Sequence, residues 1–287
     1  MTYADQAAVI TGGGSGIGAA LGKCLVERGA YVILADIDSD AAKGVAADLG
    51  PRAHGVQCDV SDMAAVDALA EASWVRHGRI DLVFANAGIG LNAPLLKATL
   101  AQYEATLGVN LRGVWLTAAA FARHMVQDGG GGHICLTGSE HSLGMQHTGN
   151  GLYTASKHAV LGLGDVLRHE LAGQVNVSVL CPGLVQTGIV DGYRHFDVPH
   201  PPEDRLAVGR AVMAEGLDPE IVARETLAAM ARKAFLIVTH PMARKAAETR
   251  WQEIDTAFAT QPPQDGSRDA YEVDEVVARV LAARDSG

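Results

Sequence analysis

The chain has 287 residues, 48% of them hydrophobic, with 23 Lys and Arg against 33 Asp and Glu, a formal net charge of −10. That apolar share supports one large core, and an α/β domain of this length often stays undivided. The acidic balance, with no basic run, excludes a nucleic-acid footprint and reads as solubility. No apolar stretch approaches the roughly 20 residues that span a bilayer, so no membrane association is expected. No basic segment precedes a short apolar run near Met1, so the expected location is cytoplasmic. Cys24, Cys58, Cys135 and Cys181 have neither metal nor redox spacing and read as small buried hydrophobes.

Strands and helices alternate through the first two-thirds. Strands are predicted over 7–10, 31–35, 54–58, 81–85, 132–137 and 175–181, with helices over 19–28, 40–49, 63–77, 99–127 and 153–171. A tight glycine loop follows the long helix at 129–132. Strands apolar along their whole length predict a parallel sheet covered on both faces. Right-handed crossovers then make it an α/β, Rossmann-type doubly wound sheet.

The last third changes character. Residues 191–205, with Pro199, Pro201 and Pro202, are expected not to form a regular helix. A helix is predicted over 219–232, with Asp218 as N-cap and Pro219 in its first turn. A seventh strand is predicted over 235–239, stopped by Pro241, then a helix over 242–258 and a linker over 261–266. Val273, Val276, Val277, Val280 and Leu281 have helical spacing. The expected organisation is one catalytic domain over 1–287, with 242–287 as a helical extension.

Thr11-Gly12-Gly13-Gly14-Ser15-Gly16-Ile17-Gly18 lies between a strand and a helix. A backbone that approaches a pyrophosphate closely cannot carry Cβ atoms, and the helix start offers free N–H groups to the anion. The Gly-x-x-x-Gly-x-Gly spacing differs from the commoner dinucleotide fingerprint. About twenty residues on, the second strand ends in Asp36, whose carboxylate can accept from adenosine ribose hydroxyls and would repel a 2′-phosphate. With Ser15 and Ile37 where a cation would stand, the cofactor expected is NAD rather than NADP. A bare turn between Asp36 and Asp38 is the alternative.

Tyr153 and Lys157 are four positions apart, so they project from one helix face. A phenol titrates near 10 and is a poor base at neutral pH, but a lysine ammonium one turn away is expected to favour the phenolate. The pair then serves as general acid and base for a hydroxyl proton.

These pieces together resemble the short-chain dehydrogenase/reductase family. The resemblance rests on Thr11–Gly18, Asp59-Val60, Asn86-Ala87-Gly88, Asn110, Ser139, Tyr153-x-x-x-Lys157, Pro182-Gly183 and Thr187, in order over about residues 7–190. It implies a cofactor site of Gly12, Ser15, Gly16, Ile17, Gly18, Asp36, Asp59, Val60, Asn86, Ala87, Gly88, Tyr153, Lys157, Pro182, Gly183 and Thr187. Asp59 and Val60 would meet the adenine, and Pro182, Gly183 and Thr187 the nicotinamide side. It implies Ser139, Tyr153, Lys157 and Asn110 as catalytic residues. Ser139 would hold the substrate oxygen against Tyr153, and Asn110 would hold a relay water behind Lys157. Hydride transfer would interconvert a secondary alcohol and a ketone. Ser139 lies one position further from the tyrosine than the family's usual serine, and Ser142 two positions nearer. An extra residue in the loop 140–150 accounts for the offset.

The segment 189–216 is expected to be a substrate lid, and Tyr193 and Phe196 suggest an aromatic or bulky apolar substrate. His141, His147, His195 and His200 are open between solvated loop and substrate contact, and no metal site is expected. The C-terminal helices loosely resemble those of relatives acting on bulky aryl alcohols. A homodimer or homotetramer through the helices 99–127 and 153–171 is a family expectation. Two other functions stay open: a dinucleotide sensor without turnover, and an epimerase or dehydratase that uses bound NAD transiently.

Overall fold

The computed structural model describes residues 2–285 except Gln146, Pro262 and Gln264. Seven strands form one parallel sheet in the order β3-β2-β1-β4-β5-β6-β7. They are β1 (Ala7–Thr11), β2 (Tyr31–Asp36), β3 (Ala53–Gln57), β4 (Leu82–Ala85), β5 (His133–Thr137), β6 (Asn176–Cys181) and β7 (Leu236–Val238). Strands β1, β4 and β5 are buried at every position, as expected where helices cover both faces. Because successive residues face opposite ways, β1 sends Ala7 and Val9 into one core and Ala8 and Ile10 into the other.

The first core is closed by α3 (Met63–His77), α5 (Val114–Gln127) and α6 (Gly151–Glu170), through Val66, Leu69, Phe121, Met125 and Val160. The second is closed by α1 (Gly16–Val26) and α8 (Pro219–Ala231), through Leu21, Leu25, Val222 and Leu227. Each such side chain contributes roughly 1.5–3 kcal/mol by leaving water. Helix starts follow local chemistry. The Asp38 carboxylate accepts from the N–H groups of Asp40 and Ala41 at the start of α2 (Ser39–Leu49). Asp218 accepts from Glu220 N–H ahead of α8, with Pro219 in the first turn.

Three predicted elements differ. Helix α1 begins at Gly16 rather than at 19, so the loop's last glycines form its first turn. The helix expected over 99–127 is interrupted: α4 (Leu100–Leu107) passes into a π-helical segment, Gly108–Gly113, before α5. There the Asn110 side chain is bonded to the main chain of Ile89, and a Cβ on Gly113 would stand 2.6 Å from Val60 Cγ2. Such insertions widen a helix where a side chain is held by a neighbouring element. The segment expected to be irregular holds a 3₁₀ helix, Ile189–His195, and a regular helix, α7 (Glu203–Ala214), which starts after Pro202, where proline is tolerated.

The chain divides into two compact units, 1–246 and 247–287. Helix α9 (Ala243–Thr260) continues into the second unit, which also holds a 3₁₀ turn, Asp269–Tyr271, and α10 (Val273–Asp285). The apolar residues of helical spacing lie on α10, but Val273, Val277, Val280 and Leu281 stand exposed. The linker expected over 261–266 includes Pro262 and Gln264, which lie outside the described residues.

The glycine loop tolerates no side chain at its end. A Cβ on Gly18 would lie 2.1 Å from the carbonyl oxygen of Gly12. Gly18→Ala is therefore expected to cost about 1–3 kcal/mol and to lower the thermal midpoint by several degrees. An unchanged melt would show that the loop can yield.

Candidate active site

The carboxyl ends of the central strands open into a cavity of about 740 Å³. Parallel order reverses between β1 and β4, which is where such sheets leave a crevice. At one end Gly12, Ser15, Gly16 and Ile17 form the floor. Ser15 stands at the N-cap of α1 but makes no side-chain cap, so the helix start presents its N–H groups toward the cavity. Asp36 lines the same end. Its Oδ2 accepts from Gly14 N–H at 2.9 Å and its Oδ1 from Asp38 N–H at 3.0 Å. These bonds aim the carboxylate beside the glycine loop, and they also make the turn weighed as the alternative.

Asp59 and Val60 line the wall beyond, with Asp59 Oδ1 held by the N–H and hydroxyl of Ser61. Asn86 ties three strand ends together. Its amide nitrogen donates to Thr11 O at 3.0 Å, its oxygen accepts from Thr137 Oγ1 at 3.2 Å, and its N–H donates to Thr11 Oγ1 at 3.0 Å. Ala87 N–H donates to the same hydroxyl. Thr187 packs on the glycine loop, where a Cβ on Gly16 would stand 2.8 Å from its Cγ2.

At the other end Ser139, Tyr153 and Lys157 converge. Tyr153 and Lys157 share one face of α6, and Lys157 Nζ stands 5.7 Å from the Tyr153 ring centroid. The ammonium donates to Thr137 O at 2.8 Å. Burial raises the Tyr153 phenol above its ordinary value, the Ser139 hydroxyl pulls it back down, and the nearby Glu140 carboxylate pushes it up. Burial also brings Lys157 down to about 8. Desolvation is the largest cause of both shifts, and the ammonium is aimed at the Thr137 carbonyl.

Ser139 Oγ accepts from His141 N–H at 3.2 Å, and its donation to Pro182 O is long, at 3.5 Å. Its proton is therefore easily redirected into the cavity. Ser142, the other serine near the expected spacing, is committed elsewhere: Oγ donates to Lys157 O at 2.6 Å and accepts from Ser139 N–H at 3.1 Å. The loop between them and Tyr153 includes Gln146, which lies outside the described residues.

Every cofactor-binding or catalytic residue expected from the sequence lines this cavity except Gly18 and Asn110. Gly18 is packed against Gly12. Asn110 is fully buried behind Lys157, its amide bonded to both main-chain groups of Ile89 and to Ser156 Oγ. Both hydrogens of its amide nitrogen are committed, and Oδ1 keeps one acceptor site. His141 is buried, edge-on to Tyr153 at 5.2 Å, and lowered to about 4 by burial, so it is a neutral imidazole. His147 and His195 line the cavity, whereas His200 packs on Tyr193 outside it. Tyr193 is core, so of the two aromatics only Phe196 reaches the cavity. Glu140 and His240 also belong to this end, and motif spacing gave no sign of either: Glu140 lines the wall, and His240 bonds to Gly183.

The family model described as short chain dehydrogenase matches residues 6–197. The chain belongs to this family. It is 35% identical over 199 residues to D-threitol dehydrogenase of Mycolicibacterium smegmatis, covering 68% of this chain and 75% of that one. A short chain dehydrogenase/reductase from Burkholderia phymatum, solved in complex with NAD, matches with a TM-score of 0.83 at 34% identity, over 92% of this chain and 98% of that one. The apo form of LigO from Sphingobium sp. strain SYK-6 matches with a TM-score of 0.75 at 28% identity, over 99% of this chain and 96% of that one. Among the described residues, no helix is long and apolar enough to cross a membrane.

Ser142→Ala would leave Ser139 N–H buried without its hydroxyl acceptor and would remove the second bond to Lys157 C=O, which keeps its place in the α6 ladder. A loss of about 1–3 kcal/mol is expected in urea unfolding. Ser139→Ala, which removes a single long donation and one accepted bond, is expected to cost less.

Proposed function

We propose that the protein is an NAD-dependent oxidoreductase that interconverts a secondary alcohol and a ketone. The observation that carries this reading is one cavity with an uncapped helix start and Asp36 at one end and Ser139, Tyr153 and Lys157 at the other. The lining of the cavity runs from Asp36 to Tyr153, and the helix start suits the pyrophosphate of a dinucleotide. When bound there, the nicotinamide supplies the hydride acceptor or donor.

The chain's own residues handle the proton and the orientation. Gly12, Ser15, Gly16 and Ile17 hold the pyrophosphate, and Asp36 accepts from the adenosine ribose. Asp59 and Val60 flank the adenine, and Asn86, Ala87, Gly88, Pro182, Gly183 and Thr187 line the remainder. Ser139 donates to the substrate oxygen and holds it at Tyr153 Oη. In oxidation Tyr153 takes the hydroxyl proton, and in reduction it returns one to the carbonyl oxygen. Lys157 holds the nicotinamide ribose and, when charged, favours the phenolate. Asn110 fastens the Asn86–Ile89 turn behind Lys157 and holds a relay water there.

Phe196, Val190, Val212 and Met213 on the cavity wall favour a bulky apolar substrate. His147, Asn150 and Glu140 beside Tyr153 favour a polar group next to the reacting carbon. We further propose a homo-oligomer, a dimer or tetramer, because Tyr103 and Trp115 on α4–α5 and Val166 on α6 are exposed. Location in the cytoplasm belongs to the same proposal.

The test is NADH absorbance with NAD and with NADP across aliphatic, polyhydroxy and aryl secondary alcohols. Turnover with NAD is expected, with Tyr153→Phe lowering kcat by about 10²–10⁴-fold. A clear preference for NADP would overturn the role given to Asp36. Binding of cofactor without conversion in either direction would favour a sensor or a transiently used cofactor.

The pH dependence has a definite sign. The raised Tyr153 phenol is protonated at neutral pH, which suits reduction and limits oxidation. Oxidation is expected to rise steadily up to about pH 10 as the phenolate fraction grows, and reduction to hold level and to fall only above about pH 10. A flat profile in both directions, with chemistry rate-limiting, would remove Tyr153 from the role.

A further inference from the structure

His240 is two residues past the end of the edge strand β7, yet it is buried and both ring nitrogens have partners. Gly183 N–H stands 3.0 Å from its Nδ1, and Leu184 O stands 2.9 Å from its Nε2. An amide N–H can only donate and a carbonyl can only accept. The imidazole is therefore neutral, with its proton on Nε2. Thr239 Oγ1 lies 2.9 Å from the same Nδ1 and holds the ring from behind.

The ring also lies against the backbone it binds. A Cβ on Gly183 would stand 2.7 Å from His240 Cγ and 2.9 Å from Glu140 Oε2. Glu140 N–H in turn donates to Pro182 O at 2.8 Å. The strip Pro182-Gly183-Leu184 thus passes between an imidazole from the end of β7 and the main chain after β5. All three residues line the cavity at the Tyr153 end.

We propose that His240 is a positioning residue that clamps Pro182-Gly183-Leu184 as the wall against which a nicotinamide ring is held. The proposal rests on the dinucleotide reading above. The clamp acts on one end of the cavity only, because Asp36 and the glycine loop have no bond to His240. A free edge-strand terminus becomes part of the site because its imidazole gives Gly183 N–H an acceptor and adds a second donor to Leu184 O, which Leu217 N–H already bonds at 2.9 Å.

The test compares NADH with ADP-ribose, which lacks the nicotinamide, by calorimetric titration of the whole protein. His240→Ala is expected to weaken NADH binding about tenfold, the usual consequence of leaving a buried N–H without its acceptor. ADP-ribose binding is expected to stay at the wild-type value. His240→Asn, whose Oδ1 can stand where Nδ1 accepts, restores NADH binding, and His240→Gln, which keeps only the donor toward Leu184, does not. If His240→Ala does not fold, the Asn and Gln variants alone carry the comparison. NADH affinity unchanged in His240→Ala or His240→Gln, or an equal loss for both ligands, would overturn the clamp. Wild-type protein that binds neither ligand would overturn the dinucleotide reading, and the clamp with it.

Discussion

The bonds around Asn86 hold the functional edge together. A parallel sheet directs all its strand ends one way, and reversal of strand order between β1 and β4 parts the loops at that edge. The loops would splay without a crosslink. Asn86 supplies one, joining the end of β4 to Thr11 at the end of β1 and to Thr137 at the end of β5. The glycine loop and the Tyr153 end are therefore referred to the same three strands. Few other side chains could do this, because the position needs a donor and an acceptor on one short stem.

Behind the cavity a second set of bonds fixes the reacting groups. Ser142 joins Ser139 to Lys157 through their main chains, and Asn110 joins the π-helical segment to Ile89 and Ser156. These groups are buried and satisfied, which gives them one arrangement rather than several. Desolvation there opposes charge on both Tyr153 and Lys157. The resting pair is closer to neutral than a helix-surface pair would be, and a bound positive charge would shift it.

The substrate side is built differently. The Ile189–His195 3₁₀ turn and α7 bring Val190, Phe196, Val212 and Met213 to the cavity from one stretch of chain, outside the sheet. His141, buried against Tyr153, narrows the opposite wall as a neutral ring. That wall of the cavity is therefore shaped by residues whose placement depends on loops, while the glycine-loop end depends on strand ends.

The sequence by itself determined the sheet and the motif-bearing ends. Uninterrupted apolar strands can only be buried on both faces, and Gly-x-x-x-Gly-x-Gly followed by Asp36 and Tyr153-x-x-x-Lys157 has local spacing that survives any packing. The widened turn at Asn110 was invisible because it depends on a bond to Ile89 from another loop. The choice between Ser139 and Ser142 depended on which hydroxyl found the main chain of Lys157. The exposed face of α10 shows the limit of periodicity, which marks a helix but not what it packs against. His240 makes the same point at the site itself. Its neighbours at Gly183 and Leu184 are distant in sequence, and only the pairing of β6 with β7 brings their main-chain groups within hydrogen-bond reach of one imidazole.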